Sequence, residues 1–286
     1  MTKKTALVTG ASSGIGRAIV HELLADGLDV YAAARNEQSI FELKEKGART
    51  IRLDVTDNNS MESAVRMIES ESGCVDVLVN NAGYGHYGAI EDVSMTEARV
   101  QMETNVFGMA RLIQLVLPGM RKKGRGKIVN ISSMGGKMGF AFGGWYHASK
   151  HAVEGLSDAL RQEVAPFGID VIVIEPGPIR TPWIDVSAEN LRKHSAEGPY
   201  AKDSRIMAEF LKAPYRNRMS TGPEAVSKII SRALKSKHSL PRYRAGWTAS
   251  FMITLRRLLS DRGFDNMVKS QLKAISKRLE KSKEVA

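Results

Sequence analysis

Cysteine is nearly absent from the 286-residue chain, which contains only Cys74. One cysteine excludes a disulfide within the chain and is typical of a reducing compartment. Cys74 precedes a predicted buried strand, so we expect a core residue there and not a nucleophile. No apolar run approaches the roughly 18 residues that a membrane-spanning helix requires, and the N-terminal apolar run is too short for a signal peptide. We therefore expect a cytoplasmic protein.

The chain also lacks internal repeats, low-complexity stretches and linkers rich in proline or glycine, so we expect one domain over residues 1–286. Apolar runs of strand length alternate with segments of helical periodicity, such as Ile15–Leu24 and Met61–Ile68. This alternation predicts a doubly wound, three-layer α/β fold of the Rossmann type, with a mainly parallel sheet. The predicted strands are Thr5–Thr9, Val30–Ala34, Thr50–Leu53, Val75–Asn80, Lys127–Ser132, Val171–Glu175 and an edge strand over Ser239–Tyr243.

A glycine-rich turn follows the first predicted strand. Glycines let the backbone turn sharply and let a pyrophosphate approach main-chain N–H groups at a helix N-terminus, where the helix dipole favours an anion. The spacing is G-x-x-x-G-x-G, which departs from the G-x-G-x-x-G of the general dinucleotide fingerprint. Its place between a strand and a helix favours a nucleotide-binding turn. The turn reads Thr9-Gly10-Ala11-Ser12-Ser13-Gly14-Ile15-Gly16.

Further motifs follow in order, and with the turn they resemble the short-chain dehydrogenase/reductase family over residues 5 to about 181. These motifs are Asp54-Val55, Asn80-Asn81-Ala82-Gly83, Asn105, Ser133, Tyr146-x-x-x-Lys150, and Pro176-Gly177 with Thr181 beyond. The resemblance implies an oxidoreductase that moves a hydride between a nicotinamide cofactor and a carbonyl or alcohol. The cofactor contacts that it implies are Gly10, Ser12, Ser13, Gly14, Ile15, Gly16, Asp54, Val55, Asn81, Ala82, Gly83, Tyr146, Lys150, Pro176, Gly177, Ile179 and Thr181.

The second predicted strand ends in Ala34-Arg35, with no acidic side chain at its tip. An acid there would accept hydrogen bonds from the adenosine 2′-hydroxyl and repel a 2′-phosphate. Arg35 instead offers a guanidinium suited to a phosphate dianion. Ala followed by Arg at this place resembles the NADP-preferring members of the family. We therefore expect NADP(H), bound in part by Arg35, over the alternative of a surface charge that only ends the strand.

Tyr146 and Lys150 are four residues apart, so on a helix they share one face. A lysine cation favours the phenolate and lowers a tyrosine pKa, which is near 10 in water. The resemblance implies that Ser133, and not its neighbour Ser132, hydrogen-bonds the substrate oxygen while Tyr146 exchanges the proton. It also implies that Lys150 binds the nicotinamide ribose and that Asn105 holds a water linking Lys150 to solvent. We expect no metal ligands.

Residues 134–140, between Ser133 and Tyr146, are glycine-rich and apolar and resemble the corresponding stretch of hydroxysteroid dehydrogenases. Nearby aromatic residues are candidates for an apolar substrate pocket or, alternatively, for core or dimer contacts: Phe140, Phe142, Trp145 and Trp183. Residues 182–220 are polar, and we interpret them as a mobile insertion that acts as a substrate lid. We expect a bulky, mostly apolar substrate of the steroid, retinoid, acyl or aryl ketone type.

Acidic residues are scarce in the C-terminal part of the chain. Residues 201–286 contain 20 Lys and Arg against 7 Asp and Glu, whereas the first 200 residues contain 22 against 24. The asymmetry raises nucleic acid or an anionic membrane as partners, but we favour a solvated basic face near the anionic cofactor and expect no nucleic acid. Residues 248–286 predict a basic, amphipathic helical extension. We favour its packing over the pocket against membrane contact or a role in an oligomer.

The leading hypothesis is an NADP(H)-dependent carbonyl reductase or alcohol dehydrogenase with a small-molecule substrate. A second is a non-catalytic protein that senses NADP(H), against which the complete set of candidate catalytic residues counts. A third is a nucleic-acid-binding protein that uses its basic C-terminal part, although the sequence holds no recognition motif for it. The family resemblance also implies a homodimer or homotetramer formed through the helices that contain Asn105 and Tyr146.

Overall fold

A computed structural model describes residues 3–216 and 219–284. Its centre is a parallel sheet of seven strands in the order β3-β2-β1-β4-β5-β6-β7. Residues 1 and 2 of the predicted domain, 217 and 218 of the predicted lid, and 285 and 286 of the predicted extension lie outside the described residues. The strands are β1 (Thr5–Thr9), β2 (Asp29–Ala34), β3 (Arg49–Arg52), β4 (Val77–Asn80), β5 (Gly126–Ile131), β6 (Ile169–Pro176) and β7 (Arg242–Ala245).

Helices cover both faces of the sheet and its carboxyl edge. In the described part of the chain they are α1 (Gly14–Ala25), α2 (Phe41–Glu45), α3 (Asn58–Ser72), α4 (Met95–Met102), α5 (Gly108–Lys123), α6 (Gly144–Val164), α7 (Trp183–Ser195), α8 (Ala201–Arg216), α9 (Pro223–Lys235), α10 (Trp247–Leu258) and α11 (Asp261–Glu284). Residues of α1, α2 and α9 pack on one face, and residues of α3, α5 and α6 pack on the other. The predicted doubly wound, three-layer α/β fold is confirmed.

The two hydrophobic cores come from alternate residues of the same strands. In β1, Ala6 and Val8 belong to the core beneath α1 and α9, while Leu7 belongs to the core beneath α3, α5 and α6. All three are fully buried. Because successive side chains of a strand point to opposite faces, a strand between two helical layers must be apolar at every position. This is why the strands read as continuous apolar runs and not as alternating patterns.

Each predicted strand is present, and the differences are at the ends. β4 begins at Val77 and not at Val75, and next to its start the Thr5 N–H donates to the side-chain Oδ2 of Asp76 at 3.0 Å. The edge strand was predicted over residues 239–243 but begins at Arg242. Pro241 lacks an N–H group, although its carbonyl oxygen still accepts a hydrogen bond from the Val173 N–H at 2.9 Å.

The segment 182–220 contains two helices, α7 and α8, which the sequence analysis did not predict. Small and polar residues occupy much of their buried faces, including Ser187, Ser195 and Ser204. Each serine has a specific partner, such as the Gly85 carbonyl oxygen for the Ser187 hydroxyl at 3.2 Å. Because serines replace apolar residues on these buried faces, a hydropathy pattern does not reveal the helical periodicity of α7 and α8. Among the described residues, no helix is both long and apolar enough to span a bilayer.

A buried group of charges fastens the edge strand β7 to α6. Arg242 lies 2.6 Å from Asp158 and 3.0 Å from Glu154 in α6, and 3.5 Å from Glu175 in β6. The side chains of Glu154 and Glu175 are only 6% and 1% exposed. Burial raises the pKa of Glu175, and the nearby negative charge of Glu154 adds to the shift. Arg242 therefore neutralises carboxylates that water cannot reach.

Replacing Arg242 with methionine should destabilise the protein. The change keeps much of the side-chain volume but removes one of the cations that the buried carboxylates of Glu154 and Glu175 share with Lys137, so we expect a loss of about 2–4 kcal/mol in the free energy of unfolding. Urea denaturation monitored by circular dichroism measures it. As a matched control, Arg66→Met removes an exposed helical pair with Glu62 and should cost less than about 1 kcal/mol. Equal losses in the two variants would contradict this assignment.

Candidate active site

The glycine-rich turn after β1 has no room for a side chain at its glycine positions. Gly10 and Gly14 have φ angles of +66° and +52°, in the left-handed region that favours glycine. A Cβ atom on Gly16 would lie 2.2 Å from the Gly10 carbonyl oxygen, and one on Gly14 would lie 2.8 Å from Cγ2 of Thr181. Ser13 precedes α1, and its side chain caps no N–H group. The N–H groups that begin α1 thus lack a side-chain cap, which suits an anion.

Asn81 ties this turn to the end of β4. Its Nδ2 donates to the carbonyl oxygens of Thr9 at 2.9 Å and Gly10 at 3.1 Å. The main-chain N–H groups of Asn81 and Ala82 donate to the Thr9 hydroxyl at 3.1 and 3.0 Å. Strand order reverses at β1 and β4, and open α/β sheets bind ligands at the carboxyl side of such a switch point.

The other predicted cofactor residues lie along the same edge of the sheet. Asp54 holds the loop after β3 in place, since its Oδ1 accepts hydrogen bonds from the N–H and the hydroxyl of Thr56 at 3.0 and 2.8 Å. Thr181 lies against Gly14 in the turn. The structure therefore brings the ends of β1, β3, β4 and β6 together. The remaining predicted residues on this edge are Ser12, Ile15, Val55, Gly83, Pro176, Gly177 and Ile179.

Arg35 follows β2 and is exposed. It forms no hydrogen bond or ion pair with any residue in the described ranges. A second arginine, Arg17 of α1, was not singled out in the sequence. It donates to the carbonyl oxygens of Ser12 at 2.6 Å and Ser39 at 3.3 Å, and pairs with Glu42 at 2.8 Å. Its position directly after Gly16, the last glycine of the turn, was the sequence signal that could have identified Arg17 as part of this site.

Tyr146, in the first turn of α6, is 8% exposed. Ser133 follows β5, and its hydroxyl lies near the phenol of Tyr146. Burial raises the pKa of Tyr146 to about 12, in the opposite direction to the lowering expected from Lys150, and the nearby Ser133 hydroxyl opposes the shift. A phenol in this setting remains protonated at neutral pH and can act as an acid. The neighbouring Ser132 hydroxyl is buried with no hydrogen-bond partner among the described residues.

Lys150 lies one helical turn after Tyr146. Its Nζ donates to the Ile131 carbonyl oxygen at 2.8 Å and lies 6.0 Å from the centre of the Tyr146 ring. Burial lowers the pKa of Lys150 to about 8 because it penalises the cation, and the charge of Glu154 opposes this. A Cβ atom on Gly83 would lie 3.8 Å from Nζ. The predicted pair therefore faces the turn that ends β4.

Asn105 lies in a π-helical turn, Glu103–Phe107, between α4 and α5. Its Oδ1 accepts a hydrogen bond from the Tyr84 N–H at 3.1 Å. Its Nδ2 donates to the Tyr84 carbonyl oxygen at 3.0 Å and to the Ser149 hydroxyl at 2.9 Å. Both amide hydrogens are thus used within the protein, and Oδ1 retains one lone pair for a further donor. Asn105 fixes the loop after β4 against the helix that carries Lys150.

Aromatic side chains cover Tyr146. The rings of Trp183, which begins α7, and Tyr87, from the loop after β4, lie 5.3 and 5.9 Å from its ring. Phe142, Leu191 and Met207 belong to the same cluster. Burial raises the pKa of Tyr87 well above its ordinary value, so it remains a neutral neighbour. Tyr87 is not among the residues predicted from the sequence, although an aromatic residue shortly after the Asn-Ala-Gly motif was a usable signal.

The aromatic residues proposed for the pocket separate into two groups. Phe142 and Trp183 lie in the cluster around Tyr146. Phe140 packs in a neighbouring cluster, with its ring 5.9 Å from Phe264 of α11. Trp145 belongs to neither cluster, and its Nε1 is buried without a partner among the described residues.

A cleft of about 400 Å³ opens beside Thr181 between α7 and α8. Burial raises the pKa of Tyr215, at its inner end, to about 12, and negative charge on Tyr146 would add to the shift. The wall of the cleft is rich in basic residues. It is lined by Arg180, Thr181, Ile184, Asp185, Lys212, Tyr215 and Arg216.

Known proteins resemble the chain over most of its length. A 3-ketodihydrosphingosine reductase of Bacteroides thetaiotaomicron is 45% identical over 186 residues, which are 65% of this chain and 67% of that protein. An NADPH-dependent 3-dehydrocapnine reductase of Ornithobacterium rhinotracheale is 36% identical, covering 95% of this chain and 98% of the relative. The rat 17-beta-hydroxysteroid dehydrogenase type 6 is 33% identical over 89% of this chain and 84% of the relative.

Solved structures agree with these relatives. A short-chain dehydrogenase from Streptomyces avermitilis has a TM-score of 0.77 and 34% identity, with 98% of each chain covered. A serine dehydrogenase in complex with NADP+ has a TM-score of 0.73 and 27% identity, covering 84% of this chain and 93% of that one. The family model described as short chain dehydrogenase matches residues 4–191. The chain therefore belongs to the short-chain dehydrogenase family and is an oxidoreductase of CH–OH and C=O groups.

Proposed function

We propose that this oxidoreductase uses NADPH to reduce a ketone on a bulky, mostly apolar substrate. One observation carries the proposal: the Ser133 hydroxyl lies near the buried phenol of Tyr146, one helical turn from the buried Lys150, at the edge that holds the glycine turn. Three polar groups converge there beneath an apolar cover. Such convergence of perturbed groups in an apolar setting is typical of an active site.

The residues at the switch point fit a dinucleotide. The turn would not accept a Cβ atom at Gly16, and the helix that follows begins without a side-chain cap. A pyrophosphate can therefore approach the backbone and use the free N–H groups. Exposed Arg35 at the end of β2 supports a 2′-phosphate, and the NADPH-dependent relative and the NADP+-bound neighbour agree with this preference.

The chain supplies position and protons to the reaction. The bound nicotinamide would supply the hydride. Ser133 would donate a hydrogen bond to the ketone oxygen, and Tyr146 would donate its phenolic proton as negative charge develops there. The Lys150 cation would stabilise the resulting phenolate. Asn105, through the free lone pair of Oδ1 or through its main chain, would hold a water that returns the proton to this group.

The substrate class rests on the apolar cover and on the relatives. Leu191, Met207 and Phe142 pack around Tyr146, so a substrate that reaches Tyr146 must contact or displace apolar side chains. Two relatives are named as reductases of 3-ketodihydrosphingosine and 3-dehydrocapnine, and a third as a hydroxysteroid dehydrogenase. We propose a 3-keto group on a long alkyl chain as the first substrate to test, with steroid ketones as the second.

Residues 182–220 would serve as the lid, and the chain would act as one domain in a dimer or tetramer. The packing of α8 against α11 favours a lid whose outer wall is formed by the C-terminal extension. This supports packing of residues 248–284 over the pocket, in preference to membrane contact.

Tyr146→Phe should abolish ketone reduction. The variant keeps the ring but removes the only proton donor proposed for the substrate oxygen, so we expect kcat to fall by at least about 1,000-fold. NADPH oxidation with a 3-keto long-chain amine measures it, and fluorescence titration should show unchanged NADPH binding. Tyr87→Phe is the matched control and should retain most activity. Turnover by Tyr146→Phe at the wild-type rate would exclude the mechanism. If the wild-type protein binds NADPH but reduces no ketone, the result would favour the NADP(H) sensor.

Arg35→Ala should weaken NADPH binding about 10- to 100-fold, because a charge-assisted hydrogen bond contributes about 1.5–3 kcal/mol. The affinity for NADH, which lacks the 2′-phosphate, should change little. Separate fluorescence titrations with the two nucleotides give the comparison, and Lys44→Ala, an exposed cation on α2, serves as the control. A parallel loss for both nucleotides would argue against a 2′-phosphate contact.

Reduction and oxidation should depend oppositely on pH. Reduction needs the neutral phenol of Tyr146, whose pKa burial raises to about 12, and the charged Lys150, whose pKa burial lowers to about 8. The kcat/KM for the ketone should therefore be level through neutral pH and begin to fall near pH 8. Oxidation of the alcohol needs the phenolate and should rise with pH. Profiles in both directions test this, and a reduction rate that climbs above pH 8 would be inconsistent with it.

A further inference from the structure

A group of three metal-ligating side chains lies outside the site described above. His86 is in the loop after β4, Glu97 is in the first turn of α4, and His194 is near the end of α7. The Nε2 atoms of the two histidines are 2.8 Å apart, and Oε1 of Glu97 is 3.4 Å from Nε2 of His194. One ligand atom of each residue lies within 4.8 Å of the others.

These distances are close to those of a tetrahedral metal site. Zinc binds histidine nitrogen at about 2.0–2.1 Å and carboxylate oxygen at about 2.0–2.2 Å. In a tetrahedron, two such ligand atoms lie about 3.3–3.4 Å apart, so the observed separations require only small side-chain movements. Two histidines with one carboxylate form a donor set that suits zinc and its neighbours in the first transition row, with a water as the fourth ligand.

The surroundings hold the three groups in place. His86 is 8% exposed, and its main-chain N–H donates to Oε1 of the fully buried Gln101 at 2.5 Å. Glu97 is fixed by the capping box with Ser94. Lys193 lies 3.5 Å from the same carboxylate, but its side chain is 68% exposed and can leave without losing a buried contact.

We propose that His86, Glu97 and His194 bind one divalent transition-metal ion of the zinc class. No sequence motif indicates this site, because its ligands are 11 and 97 residues apart along the chain. The ion would join the loop after β4 and α4 to α7. His194 is 11 residues from Trp183 in the same helix, about 16 Å along its axis at 1.5 Å per residue. The ion would thus fasten the distal end of the helix whose first residue covers Tyr146.

Zinc titration of the full-length, untagged protein tests the proposal independently of any dehydrogenase activity. After treatment with a chelator, Zn2+ is titrated in competition with a chromophoric chelator. We expect one ion per chain. Cobalt in place of zinc should give the visible absorption of a tetrahedral site. Hydrogen exchange in α7 should slow when zinc is bound.

Two variants test the ligands, and a third serves as the control. Glu97→Gln retains the capping box, which accepts glutamine, but loses the carboxylate ligand. His194→Gln loses the imidazole. Each should lower zinc affinity by more than about 100-fold, since loss of an outer-shell partner alone costs about 10- to 100-fold. His21→Gln, at an exposed histidine of α1, should bind zinc as the wild type does.

Either of two results would contradict the proposed metal site. If the wild type binds no stoichiometric zinc, or if Glu97→Gln binds it as tightly as the wild type, the cluster is only a hydrogen-bonded histidine pair beside a helix cap. Glu97→Gln decides the question even if His194→Gln fails to fold. Circular dichroism and NADPH binding establish that each variant is folded.

Discussion

The close approach of the turn after β1 to the end of β4 constrains the rest of the site. A Cβ atom on Gly10 would lie 2.9 Å from Cα of Ala82, and Asn81 donates to the carbonyl oxygens of Thr9 and Gly10. These contacts join two adjacent parallel strands at the switch point of the sheet. The loops after β4 and β5 then start from fixed points, which determines where the groups on α6 meet them.

The groups on α6 depend on burial as much as on their neighbours. Tyr146 and Lys150 lie on one face, and the same exclusion of water raises the pKa of the phenol and lowers that of the ammonium. Burial thus favours the neutral form of both groups. Glu154, one turn further along α6, partly restores the lysine cation. Because Arg242 also pairs with Glu154, the edge strand β7 is connected electrostatically to the reacting end of the helix.

The sequence predicts the strands and helices of the three layers well, but it predicts α7 and α8, which cover Tyr146, poorly. Strands between two helical layers are apolar at every position, and the glycine turn and the Tyr146–Lys150 spacing are local, so each leaves a readable pattern. The faces of α7 and α8 are different, since buried serines such as Ser187 replace apolar residues and find carbonyl partners that only the fold supplies. The cluster of His86, Glu97 and His194 depends on residues that are far apart in the sequence, so it leaves no local spacing to recognise.

Of the helices that cover Tyr146, α7 is held by buried hydrogen bonds, whereas the contacts between α8 and α11 are mainly apolar. Ser187 and Ser195 bond this helix to the Gly85 carbonyl oxygen and to the Ala89 N–H, and Ser204 at the start of α8 donates to the Ser195 carbonyl oxygen, whereas α8 meets α11 through apolar contacts that include Leu272. Apolar contacts slide and reform at little cost, while buried hydrogen bonds do not. The contacts between α8 and α11 can therefore change without breaking the hydrogen bonds that hold α7.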